Sequence, residues 1–129
     1  AIIGDGESQE GQVWEAAFFA SHKKLDNLIV FLDYNKMQLD GTLEEVNDSG
    51  NMYDKFKSFG FDTYSIDGHN IDEIIATIEK AKTVKGMPHM IVLNTIKGKG
   101  VSFAEAAKAN SHSMPVSKEA LEVAIKELS

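Results

Sequence analysis

Two residues with oxygen-bearing side chains stand out in this sequence, an aspartate at position 5 and an asparagine at position 35. Asp5 lies between two glycines in Gly4-Asp5-Gly6, and Asn35 closes the run Asp33-Tyr34-Asn35. Each follows a short apolar segment, so both are expected just beyond the carboxyl end of a strand. Carboxylate, amide and backbone carbonyl oxygens suit Mg²⁺ or Ca²⁺, which readily complete their coordination with phosphate oxygens. The two residues together predict a divalent metal site able to hold a diphosphate.

The glycines on either side of Asp5 support the same prediction. A glycine lets the backbone approach a phosphate closely, and the helix that follows directs its N-terminal N–H groups at the same anion. Taken alone, Gly-Asp-Gly is more often a tight strand-to-helix turn, because Gly and Asp are common turn residues. The pairing with Asn35 at the end of the next strand is what favours a metal site.

The elements predicted to position these residues alternate between strand and helix. Residues 28–32 are continuously apolar, which is typical of a strand buried on both faces of a parallel sheet. Strands are predicted to end at Ile3, Leu32, Ile66 and Leu93, and helices to lie at residues 9–24, 51–59 and 70–85 and from residue 117 onward. Such alternation predicts an α/β fold, an open parallel sheet with helices on both faces and right-handed crossovers. Ligands of such sheets bind beyond the carboxyl ends of the strands.

Side-chain patterns also predict what the helices bury. The helix at residues 9–24 is apolar over more than half of its circumference, so we expect it to be largely buried. Its aromatic residues Trp14, Phe18 and Phe19 are expected to pack in the core or at a subunit interface. In the helix that Asn70 caps, the predicted buried stripe consists of Ile71, Ile74, Ile75 and Ile78.

The histidines and the loop lysines carry weaker signals. We expect His69 to be a turn residue bonded to the backbone, and His22 and His89 to be ordinary surface or edge residues. Lys97 and Lys99 alternate with glycines, which is equally typical of a phosphate contact and of a solvated loop.

Composition excludes several classes of protein. With 43% hydrophobic and 26% charged residues, the chain has the composition of one globular domain. The absence of cysteine excludes disulfides and thiolate chemistry, and a net charge of −7 disfavours nucleic acid and anionic membranes as partners. No apolar stretch is long enough to span a bilayer and none resembles a signal peptide, so a cytoplasmic location is expected. Because a strand begins at Ala1, we also expect an N-terminal part of the fold to be absent from this chain.

The sequence resembles the transketolase family of thiamine diphosphate enzymes, and in particular the N-terminal subunits of transketolases split into two chains. Residues 4–17 resemble the metal-binding segment of that family, and residues 25–29, 33–35 and 38–41 resemble the second half of its motif. Further matches follow in the family's order at Phe59-Gly60-Phe61, Asp67-Gly68-His69, residues 97–103 and His112 before Pro115.

The resemblance implies roles for particular residues. The side chains of Asp5 and Asn35 and the carbonyl of Met37 would bind Mg²⁺ or Ca²⁺. The residues implied to bind the cofactor, thiamine diphosphate, are Asp5, Gly6, Glu7, Asn35, Met37 and Ile96. Glu10 matches a glutamate at a dimer interface that helps connect two cofactor sites, and His112 matches a histidine near the diphosphate and the substrate channel.

The resemblance further implies what the whole enzyme does. Residues 1–129 would be the C-terminal portion of a diphosphate-binding domain in an enzyme of the pentose phosphate pathway, which moves a two-carbon ketol unit from a ketose phosphate to an aldose phosphate. A pyrimidine-binding domain or subunit would complete the site in a homodimer or heterotetramer, and the isolated chain would be inactive.

Two alternatives stay open. One is a related thiamine enzyme, such as a deoxyxylulose phosphate synthase or a 2-oxo acid dehydrogenase component. The other is a non-catalytic α/β module that binds a metal or a nucleotide, although the glycine-rich nucleotide-binding loops are absent from the sequence.

Overall fold

A parallel sheet forms the centre of the computed structural model, which describes residues 1–129. Its strands are β1 (Ile2–Gly4), β2 (Ile29–Tyr34), β5 (Asp62–Asp67) and β6 (His89–Asn94), in the spatial order β1-β2-β6-β5 and all parallel. Between β2 and β5 lies a small antiparallel hairpin of β3 (Met37–Gln38) and β4 (Gly41–Thr42). The predicted α/β fold with an open parallel sheet flanked by helices is confirmed, and a turn at Asp40-Gly41 joins the two hairpin strands.

The register of the sheet brings the carboxyl ends of its strands into line. Gly4 of β1 pairs with Asp33 of β2, and Tyr34 at the end of β2 pairs with Asn94 at the end of β6. The turns that follow these strands therefore meet at one edge of the sheet, where parallel α/β folds bind ligands.

Six α-helices surround the sheet: α1 (Gly11–His22), α2 (Leu43–Val46), α3 (Met52–Ser58), α4 (Ile71–Thr83), α5 (Ser102–Ala107) and α6 (Lys118–Leu128). Short 3₁₀ helices lie at Glu7–Gln9 and Lys108–Ser113. Asn51, Asn70 and Ser117 cap α3, α4 and α6 with their side chains, as their positions in the sequence predict. None of the helices has both the length and the apolar character needed to span a membrane.

An aromatic cluster links α1 to α3 and forms part of the core. Trp14 stacks on Phe56 with ring centroids 5.0 Å apart and contacts Phe59 at 5.1 Å, while Phe56 meets Phe61 edge-on at 5.4 Å. Such pairs contribute about 0.5–1.5 kcal/mol each beyond the area that they bury. The expectation that Trp14 packs in the core is confirmed.

The structure corrects the predicted burial of two helices. In α1 only Ala17 and Ala20 are buried, and Phe18 and Phe19 remain mostly exposed. In α4 the buried residues are Thr77 and Ala81, whereas Ile71 and Ile75 of the predicted stripe are 65% and 53% exposed. Small side chains let α4 pack closely against β5, so its bulkier apolar residues lie beside the contact rather than in it.

Two further expectations are corrected. His89 was expected at the surface or an edge, but it is completely buried at the start of the central strand β6. The stretch after Lys97, predicted as a loop, contains α5 and the second 3₁₀ helix. Its Ala-rich sequence lacks an apolar stripe, so periodicity gave no helix signal there.

Candidate functional site

A cleft of about 540 Å³ lies at the carboxyl ends of β1 and β2. It is lined by Gly4, Asp5, Gly6, Glu7, Glu10, Asp33, Asn35, Met37, Gln38, Leu39, Lys97 and His112. Every residue to which the family resemblance gives a role, except Ile96, therefore lines one cavity. The two turns that carry most of these residues are far apart in the chain and are brought together by the parallel pairing of β1 with β2.

Asp5 lies at the floor of this cleft and is 1% exposed. Its Oδ1 accepts the backbone N–H of Gly6 at 2.8 Å, and its Oδ2 accepts the backbone N–H of Lys36 at 2.6 Å. The hydroxyl of Ser8 donates to the carbonyl of Asp5 at 2.5 Å, which closes the turn leading into the first 3₁₀ helix. The carboxylate is thus held in one orientation by the two turns that surround it.

The charge of Asp5 has no basic partner. Burial raises the pKa of Asp5 above its ordinary value, and the charge of Asp33 adds to the rise, although backbone N–H donors from Lys36 and Gly6 oppose it. The only contacts within 4.0 Å between a basic and an acidic side chain join Lys82 to Glu79 and His89 to Asp62, so no lysine or histidine is paired with Asp5. A buried carboxylate without a counter-charge is the environment that a bound cation would stabilise.

Asn35 is oriented by hydrogen bonds at both ends of its amide. Its Nδ2 donates to Oδ2 of Asp33 at 3.0 Å, and its Oδ1 accepts the backbone N–H of Met37 at 2.9 Å. Because the donor end is turned toward Asp33, the amide oxygen lies on the side of Met37.

The donor set of this cleft fits a hard divalent cation. A carboxylate can accept about four hydrogen bonds or metal contacts, and Asp5 uses only two of these positions within the chain. The amide oxygen of Asn35 accepts one bond and retains a second lone pair. The chain has no group of three or more His, Cys, Asp or Glu residues able to hold a metal ion. The available oxygens are therefore one carboxylate, one amide and backbone carbonyls, a set that suits a cation sharing its coordination with phosphate.

The glycine-rich turn after β1 is compact because of contacts made within it. Glu7 accepts the backbone N–H of Gly4 through Oε2 at 2.6 Å, so its side chain folds back over the turn. A Cβ added at Gly6 would lie 3.0 Å from Cβ of Gln38 and 3.3 Å from its Oε1. The absence of a side chain at Gly6 therefore keeps this part of the cleft open.

His112 reaches the cleft from the distant end of the chain. It belongs to the 3₁₀ helix at Lys108–Ser113, which packs against the hairpin of β3 and β4. That packing places the histidine beside Met37 and Leu39 along the same cavity. Glu10 also lines the cavity, immediately before α1, and is exposed.

Ile96 does not line this cleft and is about half exposed. Its backbone N–H donates to Nε2 of His69 at 2.8 Å, while the backbone N–H of His69 donates to Oδ1 of Asp67 at 2.9 Å. His69 is thus a turn residue bonded to the backbone, as expected, and it holds the segment that leads to Lys97.

Sequence reasoning missed some residues of the lining. Asp33 and Gln38 were seen only as parts of a motif, and Leu39 was not considered for the site. Asp33 stands two positions before Asn35, so the alternation of side chains along a strand could have suggested that both point to one face. Gln38 gave no such signal; its Nε2 is buried without a hydrogen-bond partner.

Comparison with known protein families gives a match over almost the whole chain. A sequence model of the family described as "Transketolase, thiamine diphosphate binding domain" matches residues 1–128.

Comparison with individual proteins gives relatives that are components of transketolases. The chain is 55% identical over 127 residues to the 6-deoxy-6-sulfo-D-fructose transketolase subunit SqwG of Clostridium sp. (strain MSTE9), with 98% of this chain and 46% of that protein covered. It is 38% identical over 128 residues to one of the subunits of the apulose-4-phosphate transketolase of Phocaeicola vulgatus, with 99% of this chain and 45% of that protein covered. The chain spans about half the length of these relatives.

Solved structures share the fold over nearly all of the chain. The transketolase of Pichia stipitis in complex with sedoheptulose-7-phosphate superposes with a TM-score of 0.88 at 31% identity, covering 98% of this chain and 19% of that one. The transketolase of Campylobacter jejuni gives a TM-score of 0.86 at 31% identity, covering 98% of this chain and 20% of that one.

Proposed function

Because the chain belongs to the transketolase family and corresponds to its thiamine diphosphate-binding domain, we propose that the cleft at the ends of β1 and β2 binds thiamine diphosphate through Mg²⁺ or Ca²⁺. The side chains of Asp5 and Asn35 and the carbonyl of Met37 hold the cation. The observation that carries this proposal is the buried carboxylate of Asp5, which has no basic partner and lies in one cleft with Asn35.

The other residues of the cleft have supporting roles in this proposal. Gly6 leaves room for the diphosphate, and Glu7 stabilises the turn by accepting the N–H of Gly4. His112 and Lys97 provide groups that can donate hydrogen bonds to phosphate oxygens. Ile96 lies outside the cleft, in the segment that His69 holds, so its proposed contact is with the part of the cofactor that extends beyond the diphosphate.

We propose that the whole enzyme catalyses ketol transfer. When bound, thiamine diphosphate supplies the carbanion chemistry by which a two-carbon ketol unit passes from a ketose phosphate to an aldose phosphate. The residues of this chain bind the diphosphate end, fix its orientation and keep the metal site in one geometry. Glu10 shares protons with a second cofactor site across a dimer interface.

The lengths of the relatives support a larger assembly. The chain spans about half of two proteins that are named as transketolase subunits, so in this proposal residues 1–129 supply one part of the complete enzyme. A pyrimidine-binding domain or subunit completes the active site in a homodimer or heterotetramer of the cytoplasm. The isolated chain is inactive because half of the cofactor has no binding surface on it.

The substrate class has two candidates. A phosphorylated ketose is the first, as in the pentose phosphate pathway. The second is a 6-deoxy-6-sulfo ketose, which is favoured by the 55% identity to a 6-deoxy-6-sulfo-D-fructose transketolase subunit. A phosphate and a sulfonate are both tetrahedral anions, so their shape alone does not decide between the two ketoses. An activity assay of the assembled enzyme with each ketose and a common aldose phosphate acceptor distinguishes the two substrate classes.

Titration with thiamine diphosphate tests the proposed site. We expect the protein to bind thiamine diphosphate in Mg²⁺ and to lose that binding in EDTA, with thiamine itself binding much more weakly. Asp5→Asn should abolish the thiamine diphosphate binding that requires Mg²⁺. Glu44→Gln, which changes an exposed carboxylate of α2, serves as the matched control.

Three results would contradict the proposal or replace it. Equal affinity for thiamine diphosphate in Mg²⁺ and in EDTA would contradict the proposed metal site. Binding of a nucleotide instead of thiamine diphosphate would favour a non-catalytic module. Decarboxylation of pyruvate or another 2-oxo acid by the assembled enzyme, without ketol transfer, would favour a different thiamine enzyme.

A further inference from the structure

Asp33 makes hydrogen bonds to both residues that provide side-chain ligands in the proposed site. Its backbone carbonyl accepts the N–H of Asp5 at 3.2 Å, and its Oδ2 accepts Nδ2 of Asn35 at 3.0 Å. Its other carboxylate oxygen, Oδ1, accepts the hydroxyl of Thr95. The turns that follow β1, β2 and β6 therefore converge on this one residue.

The sheet fixes the position of Asp33. In β2 it pairs with Gly4 of β1 on one side and with Leu93 of β6 on the other. Because both neighbouring strands hydrogen-bond to β2, the backbone at Asp33 cannot move without disturbing the sheet. Its carboxylate consequently offers Asn35 an acceptor of fixed position.

The chemistry of the partner decides which way the amide of Asn35 points. An ionised carboxylate only accepts hydrogen bonds, so it selects the NH₂ end of an amide and repels the oxygen end. With Nδ2 held by Asp33, Oδ1 faces Met37, whose carbonyl is the third proposed ligand. Reversing the amide would bring two oxygens together at Asp33 and would present NH₂ to the cation.

A hydrogen bond to the second carboxylate oxygen of Asp33 keeps the carboxylate from rotating away from Asn35. Thr95 follows the last residue of β6 and donates its hydroxyl to Oδ1. One carboxylate thus receives a donor on each oxygen, and both donors come from the edge of the sheet at which the cleft lies.

From these contacts we propose that Asp33 is a positioning residue for the divalent metal: without contacting the cation, it orients the amide oxygen of Asn35 toward it and fixes the backbone of Asp5, whose carboxylate is the other side-chain ligand. This inference rests on the proposed function. Carboxylates that orient the ligands of a metal commonly change its affinity about 10- to 100-fold when they are replaced.

Metal affinity, measured separately from stability, tests this role in the assembled enzyme. Mn²⁺, which accepts the same oxygen ligands, can be titrated by electron paramagnetic resonance without cofactor and again with thiamine diphosphate. Asp33→Asn should weaken Mn²⁺ binding about 10- to 100-fold. Thr95→Val removes the hydrogen bond to the other carboxylate oxygen and leaves the contact to Asn35, so it should weaken Mn²⁺ binding less than Asp33→Asn does.

An exchange variant separates positioning from a structural role. In Asp33→Asn/Asn35→Asp, the new amide at position 33 can accept from Thr95 and donate to the new carboxylate at position 35. This restores the direction of the hydrogen bond, so we expect most of the lost Mn²⁺ affinity to return. Should Asp33→Asn fail to fold, the exchange variant alone decides, because the proposal requires it to bind Mn²⁺.

The outcomes separate this inference from the proposed function. If the wild-type enzyme binds neither Mn²⁺ nor thiamine diphosphate, both fail. If the wild type binds and Asp33→Asn binds equally well, only the role of Asp33 is overturned. A folded exchange variant that does not bind Mn²⁺ would also overturn that role.

Discussion

The carboxylate of Asp5 accepts a 2.6 Å hydrogen bond from the backbone N–H of Lys36, which lies 31 residues further along the chain. This bond joins the turn after β1 to the turn after β2. Lys36 has a positive φ of 62°, a conformation in which the chain reverses sharply. The candidate metal site therefore depends on two turns that hold each other in place.

The buried charge of Asp5 predicts how stability changes with pH in the absence of metal. Since burial raises the pKa of Asp5 above 3.8, the folded chain binds this proton more tightly than the unfolded chain does. The contribution of Asp5 to stability is greatest below its unfolded pKa and is lost as the pH rises through the higher folded pKa. Relative to Asp5→Asn, the wild type should become less stable as the pH rises through the range above about 4.

Urea denaturation at a series of pH values measures this difference. Near neutral pH the wild type should be less stable than Asp5→Asn without ligand. Adding Mg²⁺ with thiamine diphosphate should make the wild type the more stable of the two, because the ligand stabilises only the folded wild type. If the difference in free energy of unfolding between the two proteins is the same at every pH, with and without ligand, Asp5 is not the buried charge of the site.

Gly6→Ala tests whether the cleft needs an open floor. The added Cβ would meet Cβ of Gln38 at 3.0 Å and its Oε1 at 3.3 Å, so Gln38, which also lines the cleft, must shift. Gly6 has a φ of −64°, so the backbone itself tolerates alanine. We expect a loss of thiamine diphosphate affinity of about tenfold or more, corresponding to about 1.4 kcal/mol.

Gly11→Ala is the matched control. A Cβ at this position, in the first turn of α1, meets nothing within 4 Å. Alanine should stabilise the helix by about 0.5–1 kcal/mol and leave cofactor affinity unchanged. Equal effects of the two substitutions on cofactor affinity would rule out a steric role for Gly6.

His69 should affect cofactor binding without contacting the cofactor. Its Nε2 accepts the backbone N–H of Ile96 at 2.8 Å, which requires that this nitrogen carry no hydrogen. His69→Ala leaves the N–H of Ile96 without this acceptor and loosens the segment before Lys97, so we expect cofactor affinity to fall several-fold.

Calorimetric titration of thiamine diphosphate checks this effect. His22→Ala, at an exposed histidine, is the control. If His69→Ala binds thiamine diphosphate as tightly as the wild type does, the contact to Ile96 does not position the cofactor segment.

His89 should contribute to stability and not to the site. It is completely buried, with Nδ1 3.2 Å from Oδ2 of Asp62 and Nε2 3.1 Å from the carbonyl of Asp26. The same Asp62 oxygen accepts the hydroxyl of Tyr64 at 2.5 Å, and burial together with that contact raises the pKa of Tyr64 to about 12. His89→Ala leaves a cavity and deprives Asp62 of a partner, so it should lower the free energy of unfolding by about 2–4 kcal/mol.

Denaturation and cofactor titration of His89→Ala at low temperature separate the two effects. His89 begins β6, at the edge of the sheet opposite the cleft, so the folded variant should bind thiamine diphosphate with wild-type affinity. If the thiamine diphosphate affinity of His89→Ala falls as much as we expect for Gly6→Ala, then His89 also contributes to the site and this prediction is wrong.

Much of the fold could be predicted from sequence because its signals are local. Continuous apolar segments mark the strands of a parallel sheet, and Asn51, Asn70 and Ser117 mark the starts of helices by side-chain capping. Burial within helices was less predictable. Ile71 and Ile75 share a face in sequence, but α4 approaches β5 through the smaller Thr77 and Ala81.

The sequence by itself determined that Asp5 and Asn35 stand at the carboxyl ends of two strands, and the carboxyl ends of parallel strands lie at one edge of the sheet. Only the tertiary structure decided that Asp33 holds the amide of Asn35, that the helix carrying His112 packs on the β3–β4 hairpin, and that His89 is buried. These features depend on residues far apart in the chain, and a pattern along the chain reports which residues can share a face but not what lies opposite them.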